Sequence, residues 1–308
     1  MTSVSIIIVT RNRAVHLVQT LKAITLLSVP ESFDVELIIV DNGSSDETQT
    51  AVSSAAPQNM KMVYLYEGRS GKSIACNSAM AVAKGEIFLW TDDDVRPPQD
   101  WIARMCRPIL SGEAQGVSGK IRTASYLERA WMTRTHYDRL SDTRFMPEDF
   151  GSMIGANMAF HRNVLQKVPE FDMELGPGKL GFMDDSLFSL RMWEQGFKII
   201  PLPDVIAEHH FDPARIQRHA WLSHGEMSGK SQAYVHHHWE HGGIMLPQLQ
   251  LLFWQCALTL FRANQPAQSA TAEGCHRCEI RIVQKISFIK QFLIERSRPW
   301  KYLRENTN

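Results

Sequence analysis

The sequence has no surplus charge of either sign: lysine plus arginine and aspartate plus glutamate number 33 each. No whole-molecule field exists to hold a polyanion, so nucleic acid is not an expected partner. Long apolar runs are missing too. The most apolar late segment, residues 244–261, contains Pro247, Gln248, Gln250 and Gln255 and is short for a bilayer crossing; it can touch a membrane surface without spanning it. Cysteine is sparse, five in 308 residues. An odd number without an export signal argues against a disulfide framework and for a reducing cytoplasm. A signal peptide is not expected either, because Arg11 and Arg13 follow the first apolar run instead of preceding it. What remains is an ordinary folded composition, 44% hydrophobic and 21% charged, of a length that suits one α/β domain with an appendage.

Residues 4–9 form a continuous apolar run rich in β-branched types, as a central parallel strand buried on both faces requires. Leu17, Leu21 and Ile24 follow at helical spacing, and a second β-rich run, 35–40, stops at Asp41-Asn42-Gly43, completing a β-α-β unit. Ser44 and Glu47 have capping-box spacing, which predicts a helix beginning there. Further strands are expected at 62–66, 87–90, 155–160 and 198–201, with helices at 73–83 and 187–195. Residues 110–150 read as irregular and acceptor-facing. After Arg215 the pattern is helical, with apolar stripes at 251–261 and 280–293 joined by a flexible link at 264–274. The expected domains are 1–215 and a helical extension, 216–308.

Strand and helix alternate, so the fold is α/β with an open, mostly parallel sheet. Ligands of such sheets bind outside the carboxyl ends of the strands, where Thr10, Asp41 and Asp92-Asp93-Asp94 all fall. Three carboxylates crowded at a sheet's lip demand a counterion. Mg²⁺ or Mn²⁺, which takes oxygen ligands from one or two carboxylates plus phosphates, suits a diphosphate ligand; a solvated acidic turn is the plain alternative.

At this point the sequence resembles the family-2 glycosyltransferases, whose fold is called GT-A, a Rossmann-like sheet flanked by helices. The resemblance spans residues 4–230 and rests on ordered blocks: SIIIVTRNR, VELIIVDNGSSDET, GKSIACNSAMAVAKGEIFLWTDDDV, GANMAF and MDDSLFSLRMWEQGFKIIPLPDVIAEHH. It implies an inverting, metal-dependent transfer of sugar from a nucleotide-sugar, a UDP-sugar being the family-weighted choice, to a saccharide or lipid-linked acceptor in polysaccharide or glycoconjugate synthesis. By position, Asp41 contacts the donor's base with Thr10 and Arg11 nearby. Asp92 meets ribose and metal, Asp93 is the middle of the DxD-like motif, and Asp94 and His209, rather than the adjacent His210, hold the metal. Lys72 and Asn77 steady nucleotide or phosphate. Asp184-Asp185 stands where the family has Glu-Asp, with Asp185 as general base. Gly229-Lys230-Ser231 resembles a loop that closes over the diphosphate.

Other readings stand beside this one. Asp184 and Asp185 would also suit a helix N-terminus. A nucleotidyltransferase would share the sheet and the magnesium, but needs a glycine-rich loop after the first strand, where Thr10-Arg11-Asn12-Arg13 has none; GRSGKS at 68–73 lacks full Walker spacing. A catalytically inactive binding subunit is the non-enzymatic alternative, against which the retained carboxylates argue. His236-His237-His238 with His241, and Cys275-x-x-Cys278, have the residue types of a zinc site without its paired spacing. The aromatic and basic residues of 216–308 suit either packing on a domain or a peripheral position at the inner face of a membrane.

Overall fold

The structure, a computed structural model, describes residues 1–57, 59–147, 151–266 and 268–303. The chain divides into two compact units, residues 1–174 with 184–211, and residues 175–183 with 212–308. The division runs at 211/212 rather than 215/216 and assigns the detached stretch 175–183 to the helical part.

The first unit is built on β1 (Thr2–Thr10), β2 (Phe33–Asp41), β3 (Lys61–Tyr66), β4 (Ile87–Asp92), β5 (Val95–Arg96), β6 (Gly116–Thr123), β7 (Asn157–His161) and β8 (Ile199–His209). They form one sheet in the order β3-β2-β1-β4-β7-β6-β8-β5. β1 pairs in parallel with both β2 and β4, matching Thr10 to Asp41 and Val9 to Asp92. The strand order therefore switches direction around β1, and its carboxyl end opens into the crevice such sheets offer to ligands.

Both faces of β1 are covered. Ile6 and Ile8 pack with Leu17, Leu21 and Ile24 of α1 (Ala14–Thr25) and Trp101 and Met105 of α4 (Trp101–Leu110). Ile7 faces the other way, with Ala75 and Ala79 of α3 (Lys72–Val82) and Phe188 and Met192 of α6 (Asp184–Glu194). Alternating side chains of a β-branched run thus feed two cores, which is why no polar residue interrupts Ile6 to Val9.

Three expectations need correction. The helix after β2 is α2 (Thr48–Ser54), and Ser44 and Glu47 form no capping box. Ser44 Oγ accepts from Asn12 N instead, and Asp46 Oδ1 receives the Thr48 amide and hydroxyl. Residues 110–150 are not irregular throughout: β6 lies inside the sheet between β7 and β8, and α5 (Arg134–Arg139) follows. β6 escapes a pattern search because Gly116 and Gly119 interrupt it. A Cβ on Gly119 would meet Asn157 Nδ2 at 2.2 Å and Val205 O at 2.7 Å, so glycine is required where Asn157 ties β6 to β8. β8 itself runs eleven residues, through Pro201 and Pro203, with its register shifting opposite Gly119 and Lys120. Residues 148–150 of this stretch lie outside the described residues.

The second unit consists mainly of α7 (Arg218–His238), α8 (Pro247–Ala263) and α9 (Arg277–Glu295). α7 and α9 cross closely at Gly225 and Gly229. A Cβ on Gly229 would stand 2.3 Å from Gln284 O and 2.8 Å from Phe288 N, both backbone atoms. The expected flexible link at 264–274, of which residue 267 is outside the described residues, is pinned to the start of α7: Arg218 N donates to Ala272 O, His219 N to Ala270 O and Gly274 N to Ile216 O. The histidine cluster is occupied by structural contacts, His236 with Glu240, His237 with Arg298 O, His238 with Glu295 and His241 with Tyr302 O. Cys275 Sγ faces Glu279 at 3.6 Å. No described helix is long and apolar enough to cross a membrane.

Candidate active site

The crevice outside β1, β2 and β4 collects Thr10, Asp41, Asp92, Asp93 and Asp94 at neighbouring strand ends. Asp41 is buried at the end of β2, where Oδ1 accepts from Ser44 N at 2.7 Å and Oδ2 from the Tyr64 hydroxyl at 2.7 Å. Burial and this hydrogen bond hold the Tyr64 phenol above its ordinary value, so it stays a donor. Asn42 braces the loop beyond: its amide donates to Glu67 O and Arg69 O and accepts from Gly71 N, the residue before α3. Arg11 reaches the same loop through Ser70 Oγ. Asn12 takes a left-handed backbone (φ 53°), which asparagine tolerates, and its Oδ1 accepts from Ser45 N.

The aspartate triplet separates into three environments. Asp92 Oδ1 receives the Lys72 ammonium at 2.5 Å. Asp93 turns inward: Oδ2 accepts from the Thr10 hydroxyl at 2.7 Å, Oδ1 pairs with Arg13 at 3.2 Å, and its carbonyl accepts from Thr20. Burial, reinforced by Asp94, pushes Asp93 upward against the pull of Arg13. Asp94 Oδ2 pairs with Arg13 at 2.5 Å and lies 3.3 Å from His209 Nε2. Arg13, the last residue of the SIIIVTRNR block and given no role there, thus bridges two of the three carboxylates.

Among the described residues no group of three or more His, Cys, Asp and Glu side chains is disposed to hold a metal. The Asp94 and His209 pair nevertheless suits one. His209 Nδ1 lies 2.9 Å from Leu140 O, and a carbonyl only accepts, so the ring proton is on Nδ1. In its neutral form the ring would turn its Nε2 lone pair toward the same Asp94 oxygen that Arg13 holds, an arrangement that a shared metal ion would stabilise, with the outer nitrogen fixing the ring. One carboxylate and one imidazole leave the remaining positions of Mg²⁺ or Mn²⁺ to phosphate oxygens and water. His210, adjacent in sequence, faces Tyr126 and Glu208 instead, and burial lowers its pKa.

Asp184 and Asp185 open α6 rather than preceding it. Asp185 Oδ2 accepts from Gly155 N at 2.8 Å and Oδ1 from Ser186 N at 2.7 Å, so two backbone donors set the carboxylate's orientation. Burial and the neighbouring Asp185 charge push Asp184 above the usual carboxylate range. Lys72 lies between the two acidic groups of the crevice. Burial alone would favour its neutral amine, but Asp92 and Asp184 outweigh that and hold it charged.

Two expected positions fall elsewhere. Asn77 spends both ends of its amide on the Phe171 backbone, donating to O at 2.9 Å and accepting from N at 2.8 Å, which makes it a staple between α3 and the segment after β7. Gly229-Lys230-Ser231 is no loop but the middle of α7, where Ser231 Oγ accepts from Phe182 N and bonds Leu180 O and Met227 O.

Residues 5–169 match the family model described as glycosyl transferase family 2. The chain belongs to this family. Among its relatives, Glycosyltransferase AglE of Haloferax volcanii is 26% identical over 217 residues, 69% of this chain and 67% of that protein. A probable glycosyltransferase of Bacillus subtilis, YdaM, is 26% identical over 215 residues; the match takes in 66% of this chain but spans only 49% of YdaM. The family's fold is also seen in a solved structure, the mannosyltransferase PcManGT from Pyrobaculum calidifontis in complex with GDP-Man and Mn²⁺, which aligns with a TM-score of 0.60 at 19% identity, covering 96% of this chain and 87% of that one. These likenesses establish an α/β fold of GT-A type, with a curled, mostly parallel sheet flanked by helices.

Proposed function

We propose that the chain transfers a sugar from a nucleotide-sugar to an acceptor hydroxyl with inversion at the anomeric carbon, aided by Mg²⁺ or Mn²⁺. The observation that carries this reading is Lys72: one ammonium 2.5 Å from Asp92 on β4 and under the field of Asp184 on α6 joins the nucleotide-side carboxylates and the Asp184-Asp185 pair in a single crevice. Solved neighbours support a nucleotide-sugar donor. PcManGT is in complex with GDP-Man and Mn²⁺, and S. aureus TarS 1-349 is in complex with UDP-GlcNAc. A UDP-sugar is the first donor to test, with a saccharide or lipid-linked saccharide as acceptor.

In this reading Asp41, held by Tyr64 and Ser44, meets the donor's base, with Thr10 and Arg11 alongside. Asp92 and Lys72 stand on the nucleotide side, and the lysine offsets diphosphate charge. Asp94 and His209 hold the divalent ion, which when bound neutralises charge on the departing diphosphate. Asp93 shapes the motif from beneath through Thr10 and Arg13. Asp185 takes the proton of the acceptor hydroxyl as that oxygen bonds to the anomeric carbon and the bond to the diphosphate breaks. Its two backbone donors aim the carboxylate, and Asp184 completes the wall beside it.

A panel of nucleotide-sugars, assayed for nucleotide release with and without Mn²⁺ in the presence of saccharide acceptors, tests the reading. Metal-dependent release with at least one donor is expected. Turnover of nucleoside triphosphates with release of pyrophosphate, and of no nucleotide-sugar, would overturn it.

A further inference from the structure

Helix α8 carries apolar side chains on two opposite sides, separated along one edge by Gln248, Gln255, Thr259 and Arg262, and in water each apolar side calls for cover. One side has it: Leu251, Trp254, Leu258 and Phe261 are half-buried, α8 packs on α9, and Arg262 pairs with Glu279 there. The opposite side does not. Leu249, Leu252, Phe253 and Leu260 are 58–65% exposed, and Met245 and Leu246, just ahead of the helix, extend the patch at 83% and 66%. Leu246 has a left-handed backbone (φ 47°), a state leucine adopts only at an energetic cost, so the chain enters α8 through a strained turn that leaves two large apolar side chains in water.

Charge selects the occupant. Over the whole sequence the helical unit, residues 175–183 and 212–308, holds 13 Lys and Arg against 7 Asp and Glu, a surplus of six positive charges; the remainder holds 20 against 26, a surplus of six negative. A chain that is neutral as a whole is therefore polarised, and its cationic part carries the uncovered apolar face. From His241 to Ala272 there is no acidic residue, and Arg262 is the one Lys or Arg. A second copy docking on this face would bring two cationic units together. A surface that is apolar beneath and anionic at its edge complements both features, as the interface of an anionic lipid leaflet does.

We propose that α8, with Met245 and Leu246, seats the protein on an anionic lipid surface, the helix lying in the plane of the headgroups with Leu249, Leu252, Phe253 and Leu260 toward the acyl chains. At 17 residues α8 is about 25 Å long and crosses nothing. The inference stands whether or not the transfer reaction is the one proposed above. Its use would be to bring an acceptor carried on lipid to a protein that otherwise meets it only by diffusion.

The test is sedimentation of the full chain with vesicles of phosphatidylcholine alone and of an equimolar mixture with phosphatidylglycerol, alongside light scattering of the free protein. The expected result is binding to the mixed vesicles about tenfold or more tighter than to phosphatidylcholine, falling about tenfold or more again in the double variant Leu249→Ser, Phe253→Ser. Both residues are exposed, so the variant keeps the wild-type circular dichroism and melting temperature; a second pair, Leu252→Ser with Leu260→Ser, gives the same loss if the face acts as one. The proposal is overturned by equal binding to both vesicle types, by no binding to either, by unchanged binding of both variants, or by a stable dimer in solution that either variant dissolves.

Discussion

His209 Nε2 faces Asp94 Oδ2 at 3.3 Å while its Nδ1 proton is held by Leu140 O at 2.9 Å. The strand pairing makes this contact, since Val95 of β5 lies opposite His209 of β8 and His210 N donates to Asp94 O. Two residues 115 positions apart in the chain are thus brought together by a two-residue strand.

Asp94→Ala is expected to remove the Mn²⁺-dependent part of nucleotide binding, with at least about tenfold weaker affinity when metal is present and little change in its absence. Calorimetric titration of UDP or GDP with and without Mn²⁺ checks this. An unaltered metal dependence in the variant would assign the ion to other ligands.

Asp185→Asn is expected to lower kcat by about 10²–10⁴-fold while donor affinity stays near wild type, because the amide cannot accept the acceptor's proton. Donor titration and steady-state rates on the same preparation separate the two effects. Full turnover by this variant would refute Asp185 as the base.

Gly155→Ala is a milder probe of the same carboxylate. A Cβ there would stand 3.3 Å from Asp185 Oδ2, tight enough to displace it by a few tenths of an ångström. A fall in kcat of about threefold to tenfold with unchanged KM for donor is expected, since small misplacements of a reacting group are costly. A change confined to KM would argue that position 155 acts on binding instead.

Gly229→Ala should destabilise the helical unit by about 1–3 kcal/mol, because the added methyl meets the backbone of Gln284 and Phe288, which no rotamer change relieves. Thermal melting followed by circular dichroism measures the loss. A melting temperature equal to wild type would mean that α7 and α9 separate more easily than their contact suggests.

Acid should weaken the same unit through His238. Its Nε2 proton goes to Glu295 at 3.0 Å and its Nδ1 accepts from Lys301 N at 3.2 Å, so the neutral ring satisfies both partners and a second proton would break the Lys301 bond. Burial lowers the His238 pKa against the pull of Glu295. Below the ordinary histidine value of 6.5 the unfolded chain therefore binds the proton more readily than the folded one, and stability falls as pH falls. Glu295 adds to this at lower pH: burial would raise it, but His238, Gln291 and Arg298 outweigh burial and lower it, so its contribution is whole above the ordinary value of 4.5 and lost as pH drops through the folded value. The drop in melting temperature between pH 7 and pH 5.5 should be smaller in His238→Gln than in wild type. Equal drops would place the acid sensitivity elsewhere.

The α/β alternation, β1, β2 and β4, and the strand-end positions of Thr10, Asp41 and the triplet could be read from the sequence, because a parallel strand buried on both faces must be a continuous β-branched run and its ligands must lie beyond its carboxyl end. The motif blocks also pointed to Asp185 and His209, whose roles remain proposals that variants at these positions test. Tertiary structure alone decided which partner each carboxylate has. Lys72 for Asp92, Arg13 for Asp93 and Asp94, and Tyr64 for Asp41 come from elements separated by 20 to 81 residues, and no local pattern encodes a pairing across that distance. Strand β6 was illegible for a related reason: Gly119 belongs there because Asn157 and Val205 approach it, so its cause lies in other parts of the chain. Along α8 the sequence showed apolar residues at helical spacing, which describes a buried helix and a surface-seeking one equally well. The tertiary structure divided the helix by side, because packing on α9 covers one side of α8 and leaves Leu249, Leu252, Phe253 and Leu260 in water.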